Sequence, residues 1–253
     1  MVDTNPYILK TVSFRFNGAD LRLDLSHALF SSNDIDAGSK LLLKAVAKAT
    51  KGVSIRSVLD IGCGTGVLGL ACAKAYPQAQ VVLRDRDALA CAFTEHNARI
   101  NKVKPLAVQR ALFLDGLSGA HFDLVLSNVP AKAGAPVLDH FFRELPSVLA
   151  PSGLCAVVVV NSIADAARAS LESVLPALDD GVARVVLAER GAGHSVFVFR
   201  GPASSALQTT EPSVVPPLML EPSVEPTPEA MAVYRRTSLQ DIREPSRYRH
   251  NGY

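Results

Sequence analysis

Three glycines at alternate positions, Gly62, Gly64 and Gly66, lie between an apolar run ending in Asp60-Ile61 and a stretch of helical character that starts at Val67. Glycine lets the backbone turn sharply and approach a ligand without a Cβ in the way, and the helix that follows offers unpaired N–H groups at its start. Asp60, just before the turn, can accept hydrogen bonds or face a cationic amine. Spacing alone leaves two ligands open. Counted from Gly62, the dinucleotide pattern G-x-G-x-x-G needs glycine at 67, where the chain has Val67; counted from Gly64 it is met by Gly69. Asp60 favours S-adenosyl-L-methionine (SAM), which carries an ammonium and a sulfonium where a nicotinamide dinucleotide carries a pyrophosphate.

A second acidic position follows at Arg84-Asp85-Arg86-Asp87. A carboxylate at the end of this strand can accept both ribose hydroxyl protons under either reading, and Asp85 is the residue expected to do so. Asp87 is expected to cap the next helix.

These residues need a scaffold, and the pattern around them supplies one. TVSFRF and DLRLDL alternate in polarity about Asn17-Gly18, a hairpin signal. Residues from about Gly38 to Ala49 read as a helix. From residue 55 onward strands and helices alternate. Strands are expected at Ile55–Asp60, Gln80–Arg84, Leu106–Leu112, Phe122–Ser127 and Leu154–Val160. Helices are expected at Val67–Ala75, Ala88–Asn101, Val137–Leu149 and Ile163–Leu175. ARVVLAER and HSVFVFR close the series as two strands joined by Gly191-Ala192-Gly193. Alternation of this kind implies a parallel sheet covered by helices on both faces, and so short a final link makes the last pair antiparallel.

Composition limits the alternatives. With 48% hydrophobic residues and no tryptophan, the core must be mainly Val, Leu, Ala and Ile. A net charge of +2 neither requires nor excludes a nucleic-acid partner. Cys63, Cys72, Cys91 and Cys155 form no CxxC pair, and no histidine cluster has metal-ligand spacing, so buried reduced thiols and no metal are expected. His121 and His140 read as ordinary surface or packing residues. The polar start MVDTNPYILK lacks a signal-peptide core, and the longest apolar run, Leu154 to Val160, is too short to span a bilayer. Both point to a cytoplasmic protein without a membrane partner. Eight of the sixteen prolines fall in the last 52 residues, where EPSV occurs twice. This reads as a disordered tail, with Arg235, Arg236, Arg243, Arg247 and Arg249 among tyrosines as a partner-binding or RNA-touching arm. Three regions follow: a hairpin extension over 1–28, a domain over 29–201 and the tail over 202–253.

Three blocks of the chain resemble the class I SAM-dependent methyltransferases, and within them the small-methyltransferase-domain family that includes bacterial ribosomal RNA guanine-N2 methyltransferases. The blocks are LFSSNDIDAGSKLLL (29–43), VLDIGCGTGVLG (58–69) and FDLVLSNVPAKAG (122–134). The resemblance implies a Rossmann-like seven-stranded, mostly parallel sheet with one antiparallel strand. It implies SAM as cofactor and RNA, ribosomal RNA or the ribosome, as partner. Asp60, Gly62 and Gly64, with Gly66 completing the turn, line the methionine part. Asp85 binds the ribose, and Phe30, Asp36 and Gly38 belong to a segment that closes over the donor. Asn128 and Pro130 form the catalytic loop, with the Asn128 side-chain oxygen accepting a hydrogen bond from the substrate amine. No polar residue falls where the family contacts the adenine amino group: Leu112 takes that place, and Asp115 lies further along.

The chain departs from the family at Asn128-Val129-Pro130-Ala131. Family members that act on planar amines have Asn-Pro-Pro followed by Phe or Tyr, whose ring stacks on the base. Losing that ring removes about 1–3 kcal/mol of base-holding energy. Phe141, Phe142 or a tail tyrosine could replace it, although core packing is the expected role of both phenylalanines. Three readings stay open: an RNA base methyltransferase, a methyltransferase for a protein or small molecule, and a binding subunit that keeps the fold. Lys132 beside the loop could meet a phosphate or simply be solvated.

Overall fold

The computed structural model describes residues 3–30, 32–130, 132, 134–174 and 185–201. The tail and Ala131 lie outside the described residues.

A hairpin of β1 (Ile8–Phe16) and β2 (Ala19–Ser26) opens the chain, turning at Asn17-Gly18, both at positive φ. Then come α1 (Ala37–Ala49), β3 (Ser57–Ile61), α2 (Val67–Ala75), β4 (Gln80–Asp85), α3 (Ala88–Ile100), β5 (Ala107–Arg110) and β6 (Phe122–Asn128). The chain continues through α4 (Ala135–Glu144), β7 (Leu149–Val160), α5 (Ala164–Val174), β8 (Val185–Arg190) and β9 (His194–Arg200). Strands β3 to β9 form one seven-stranded sheet in the order β5-β4-β3-β6-β7-β9-β8. Only β9 runs against the others, pairing antiparallel with both β7 and β8. The fold class is therefore the one expected: Rossmann-like and mostly parallel, with one antiparallel strand and the hairpin added in front.

Side-chain alternation along the strands divides the core into two layers. On one face Val58, Leu83, Leu124, Leu126, Val158 and Val196 pack under α1, α2 and the hairpin. On the other Leu59, Val82, Val125, Val157 and Phe199 pack under α4 and α5. All four cysteines are buried and free. Among the described residues no helix is long and apolar enough to cross a membrane, and no group of three or more metal-binding side chains occurs.

Several element boundaries differ from expectation, three of them for a visible physical reason. The helix expected to run to Leu149 ends at Glu144, because Pro146 has no N–H to continue it and a 3-10 turn takes over Leu145–Val148. The strand expected at Leu154 already starts at Leu149. Pro151-Ser152-Gly153 forms an irregularity inside it, where the pairing jumps from Phe122↔Leu149 to Leu124↔Leu154. The strand expected over Leu106–Leu112 shortens to Ala107–Arg110. The backbone then turns so that the carbonyls of Phe113 and Asp115 meet the buried Arg84 guanidinium.

The hairpin is tied to the domain by helix amides. Asn101 Oδ1 accepts from Arg22 N (2.9 Å) and its Nδ2 donates to Arg22 O (2.5 Å). One turn earlier, Asn97 Oδ1 accepts from Asp24 N (2.8 Å) and its Nδ2 donates to Asp24 O (3.1 Å). Residues 22 and 24 lie on the same edge of β2, so Asn97 on α3 and Asn101 at its C-terminal cap stand in for a neighbouring strand and satisfy an otherwise open sheet edge. Asn97 Nδ2 also donates to Thr65 O (2.8 Å), which extends the tie to the glycine turn. Replacing Asn97 with alanine orphans buried groups on both the hairpin and the turn. Asn97→Ala is expected to cost about 2–4 kcal/mol in urea denaturation, against less than about 0.5 kcal/mol for an exposed change such as Lys44→Ala.

Candidate active site

Parallel pairing brings three strand ends into one row. Ile61 stands opposite Arg84 on one side and Ser127 on the other, so the next residues, Asp85, Gly62 and Asn128, are neighbours across β4, β3 and β6. Strand spacing of about 4.8 Å puts Asp85 and Asn128 about 10 Å apart with the glycine turn between them. The sheet order also reverses between β3 and β6, the place where open α/β sheets bind ligands beyond their carboxyl ends.

The turn is held from several sides. Gly62 and Gly64 have φ of 74° and 55°, in the left-handed region, and a Cβ on either would project into open space. Arg84 O accepts from Gly62 N (2.8 Å) and Cys63 N (2.9 Å). Asp85 Oδ2 accepts from Gly64 N (2.9 Å), and the Thr94 hydroxyl donates to Gly64 O (3.0 Å). Gly66 caps α2 in the left-handed conformation. Behind the turn, Gly69 allows α2 to lie directly on the sheet, since a Cβ there would fall 2.5 Å from Leu83 Cδ2.

Asp60 is fully buried. Its Oδ2 accepts from Gly69 N (2.8 Å), while Oδ1 has no hydrogen-bond partner among the described residues. Burial pushes its carboxyl up to about 7, with the Gly69 N–H opposing and the Asp85 charge adding to the rise. Asp85, half-buried, also accepts from Asp87 N (2.9 Å), and burial raises its carboxyl above the usual range. Asp87 caps α3 by accepting from Leu89 N (2.8 Å), as expected. Burial holds the Cys63 thiol protonated within the turn.

On the other side of the row, Asn128 Nδ2 donates to Asp36 Oδ1 (3.1 Å), Asp36 Oδ2 (3.2 Å) and Ser39 Oγ (3.1 Å). Among the described residues its Oδ1 has no partner. Asp36 also caps α1, its Oδ1 accepting from Ser39 N (2.9 Å). A Cβ on Gly38 would lie 2.9 Å from Asp36 Oδ1 and 2.8 Å from His194 Cδ2, so glycine lets the imidazole pack against this corner. Ser39 and His194 are absent from the sequence-based set. Ser39 was legible as a helix-start residue; His194 arrives from the far end of the chain through β9, and only the sheet order reveals it.

The Asn128-Val129-Pro130 departure from the family pattern has a structural use. Val129 N, which proline would lack, donates to Val158 O (2.9 Å) and extends the β6–β7 ladder by one bond. Pro130 and Lys132 are exposed. Phe141 and Phe142 are each 1% exposed in the core beneath α4, so neither can stack on a base. Phe30 is 77% exposed. Leu112 and Asp115 flank the short turn after β5, where Asp115 contributes its carbonyl to Arg84. His140 pairs with Glu144 on the surface of α4 (3.7 Å). A groove of about 670 Å³ under the hairpin, lined by Arg15, Arg22 and Lys74, sits at the opposite end of α2 from the turn.

This sheet, with the glycine turn after its first parallel strand and an asparagine ending the fourth, is a Rossmann-like methyltransferase fold. The chain belongs to the methyltransferase small domain family, whose model matches residues 20–191. It is 34% identical over 130 residues to ribosomal RNA small subunit methyltransferase C of Pasteurella multocida, covering 51% of this chain and 37% of that protein. It is 31% identical over 145 residues to ribosomal RNA large subunit methyltransferase G of Photobacterium profundum, covering 54% and 38%. The chain thus spans about two fifths of the length of these relatives. Among solved structures it resembles the Thermus thermophilus 16S rRNA N2 G1207 methyltransferase, RsmC, in complex with AdoMet and guanosine. The TM-score is 0.62 at 23% identity, over 78% of this chain and 51% of that one. A ribosomal protein L11 methylase from Lactobacillus delbrueckii follows at TM-score 0.56 and 20% identity, over 70% and 84%.

The buried Asp60 carboxyl has a measurable signature. The folded state binds its proton more tightly than the unfolded chain, so its contribution is present below about pH 4 and lost as pH rises through about 7. At about 1.4 kcal/mol per pH unit of displacement, the loss amounts to a few kcal/mol. Melting temperatures of wild type and Asp60→Asn between about pH 5 and 8 check this: the substitution is expected to remove the slope and to be the more stable of the two at the upper end.

Proposed function

We propose that the chain transfers a methyl group from SAM to a nitrogen acceptor, and that the acceptor is an RNA base with a guanine N2-like amine. The single observation that carries this reading is the row Asp85–Gly62–Asn128. It offers a ribose acceptor, an open left-handed glycine turn and an amide oxygen without a partner among the described residues, side by side at the switch point of the sheet. Family membership and the ribosomal RNA methyltransferases among the relatives support it.

In this reading Gly62, Gly64 and Gly66 carry the donor's methionine end on backbone groups. Asp85 takes the ribose hydroxyls. Asp60 serves from beneath: its carboxylate fixes the strand–helix junction at Gly69 and adds negative charge below a ligand that carries an ammonium and a sulfonium. When bound, SAM supplies an electrophilic methyl on a sulfonium that leaves as a neutral thioether. Asn128 Oδ1 accepts a hydrogen bond from the acceptor amine and aims its lone pair at that methyl. Pro130 stiffens the loop behind it. The nitrogen is left cationic by the transfer and gives its proton to solvent water. The rate enhancement is one of positioning, without a covalent intermediate. Phe30, on the segment that leads to Asp36 and Gly38, closes over the donor. The arginines among the tail tyrosines add cations for a phosphate backbone, and a modifier of ribosomal RNA works in the cytoplasm.

A protein or small-molecule acceptor is favoured only by the missing stacking ring after Pro130. Radiolabelled methyl transfer from SAM to total RNA and total protein of a strain lacking this gene separates the two. Label is expected in RNA; label in protein alone would overturn the RNA reading. Asn128→Ala is expected to lower transfer by about 100-fold while SAM affinity by calorimetry stays within about threefold. Full transfer by that variant would remove Asn128 from the mechanism.

A further inference from the structure

An asparagine can present either its oxygen or its NH₂ to a substrate, and the two differ only by a half-turn about χ2. For a side chain that must accept a hydrogen bond from an amine, the wrong half-turn places donor against donor. Something must therefore fix Asn128, and its neighbours have the chemistry to do so. Its Nδ2 lies within hydrogen-bond distance of both oxygens of the Asp36 carboxylate (3.1 and 3.2 Å) and of Ser39 Oγ (3.1 Å), acceptors enough for both of its protons. An ionised carboxylate only accepts, so the reversed amide would set oxygen against oxygen. Both amide protons are thus occupied on the side of α1, and Oδ1 is turned the other way.

We propose that Asp36 is the positioning residue of the acceptor site: its carboxylate fixes the Asn128 amide with Oδ1 toward the incoming amine and polarises that oxygen. This rests on the reading of Asn128 given above and moves Asp36 from the donor's lid to the acceptor's support. The carboxylate is itself immobilised. Its Oδ1 caps α1 through Ser39 N (2.9 Å), and the His194 ring closes over the same corner because Gly38 has no Cβ. The negative charge drawn toward the amide NH₂ raises electron density on the opposite oxygen, as charge-assisted hydrogen bonds do through a conjugated group. Helix capping and amide orientation thus share one carboxylate.

The discriminating variant is Asp36→Asn. Asparagine caps helices as well as aspartate does, so α1 keeps its start. Its own NH₂ then faces Asn128 Nδ2, and the favourable response is for Asn128 to flip. The expected result is an altered ¹⁵N–¹H signal of the Asn128 side-chain amide in the full chain with no acceptor present. Methyl transfer to RNA from a strain lacking the gene is expected to fall about 100-fold, with SAM affinity within about threefold of wild type. Asp36→Ser keeps a capping hydroxyl without the charge and is expected to lose about tenfold, which keeps the test readable if the first variant folds poorly. A residue that merely capped the helix would leave the amide signal and the transfer rate of Asp36→Asn unchanged, and that outcome overturns the proposal. Because the amide signal is read without RNA, a wild type that methylates no RNA would overturn the acceptor assignment above and leave this result distinct from it.

Discussion

The left-handed backbone at Gly62 and Gly64 cannot hold itself, and the surrounding structure can be traced outward from the groups that clasp it. The carbonyl of Arg84 and the carboxylate of Asp85 take its N–H groups, and Thr94 and Asn97 donate to its carbonyls. Two of these come from β4 and two from α3, so the turn requires both elements in register. Helix α3 is in turn fastened to the hairpin through Asn97 and Asn101. The hairpin, at first sight an appendage, is therefore two hydrogen-bonded steps from the turn. Asp24 adds to this fastening: it accepts from Thr11 Oγ1 at 2.6 Å and meets His96 Nε2 at 2.7 Å.

The opposite wall of the site is built independently. Helix α1 packs on β7 and β9, and its capping carboxylate reaches across to the end of β6. The two walls meet only because β3 and β6 are adjacent strands that leave the sheet in opposite directions of chain order. Methyl transfer by displacement needs a donor and an acceptor amine in line and little else from the protein. A scaffold that brings a ligand-open turn to one side of a fixed amide meets that need without any strongly reactive side chain. The thiols bear this out: Cys63, within the turn itself, is buried and held neutral.

Much of this was legible before any coordinates. The glycine spacing, Asp60 and the Asp85–Asp87 pair were placed at strand ends by the alternation of apolar runs with helical stretches, because period-2 and period-3.6 patterns are local; Asn128 was singled out by the family resemblance alone. The Asn17-Gly18 hairpin was equally plain, since its turn chemistry is contained in two residues. What sequence could not supply were contacts between segments far apart. Nothing local says that Asn97 and Asn101 face β2, that His194 abuts Gly38, or that Asp36 grips Asn128 across 92 residues. The strand that begins at Leu149 was hidden because Pro151-Ser152-Gly153 reads as a loop, yet a pairing irregularity accommodates it within the strand. Phe141 and Phe142 were legible as core residues despite their nearness to the loop in sequence, and the amphipathic face of α4 buries them.

The account stands on one end of one sheet serving both donor and acceptor. A crystal structure of the chain with S-adenosylhomocysteine and guanosine tests that most directly. The predicted result has the ribose hydroxyls on the Asp85 carboxylate, the ligand's backbone on the open side of Gly62 and Gly64, and Asn128 Oδ1 within hydrogen-bond reach of the base amine while its Nδ2 stays on Asp36. A ligand seated elsewhere, as in the basic groove under the hairpin, or an Asn128 amide turned with its NH₂ toward the base, would contradict it.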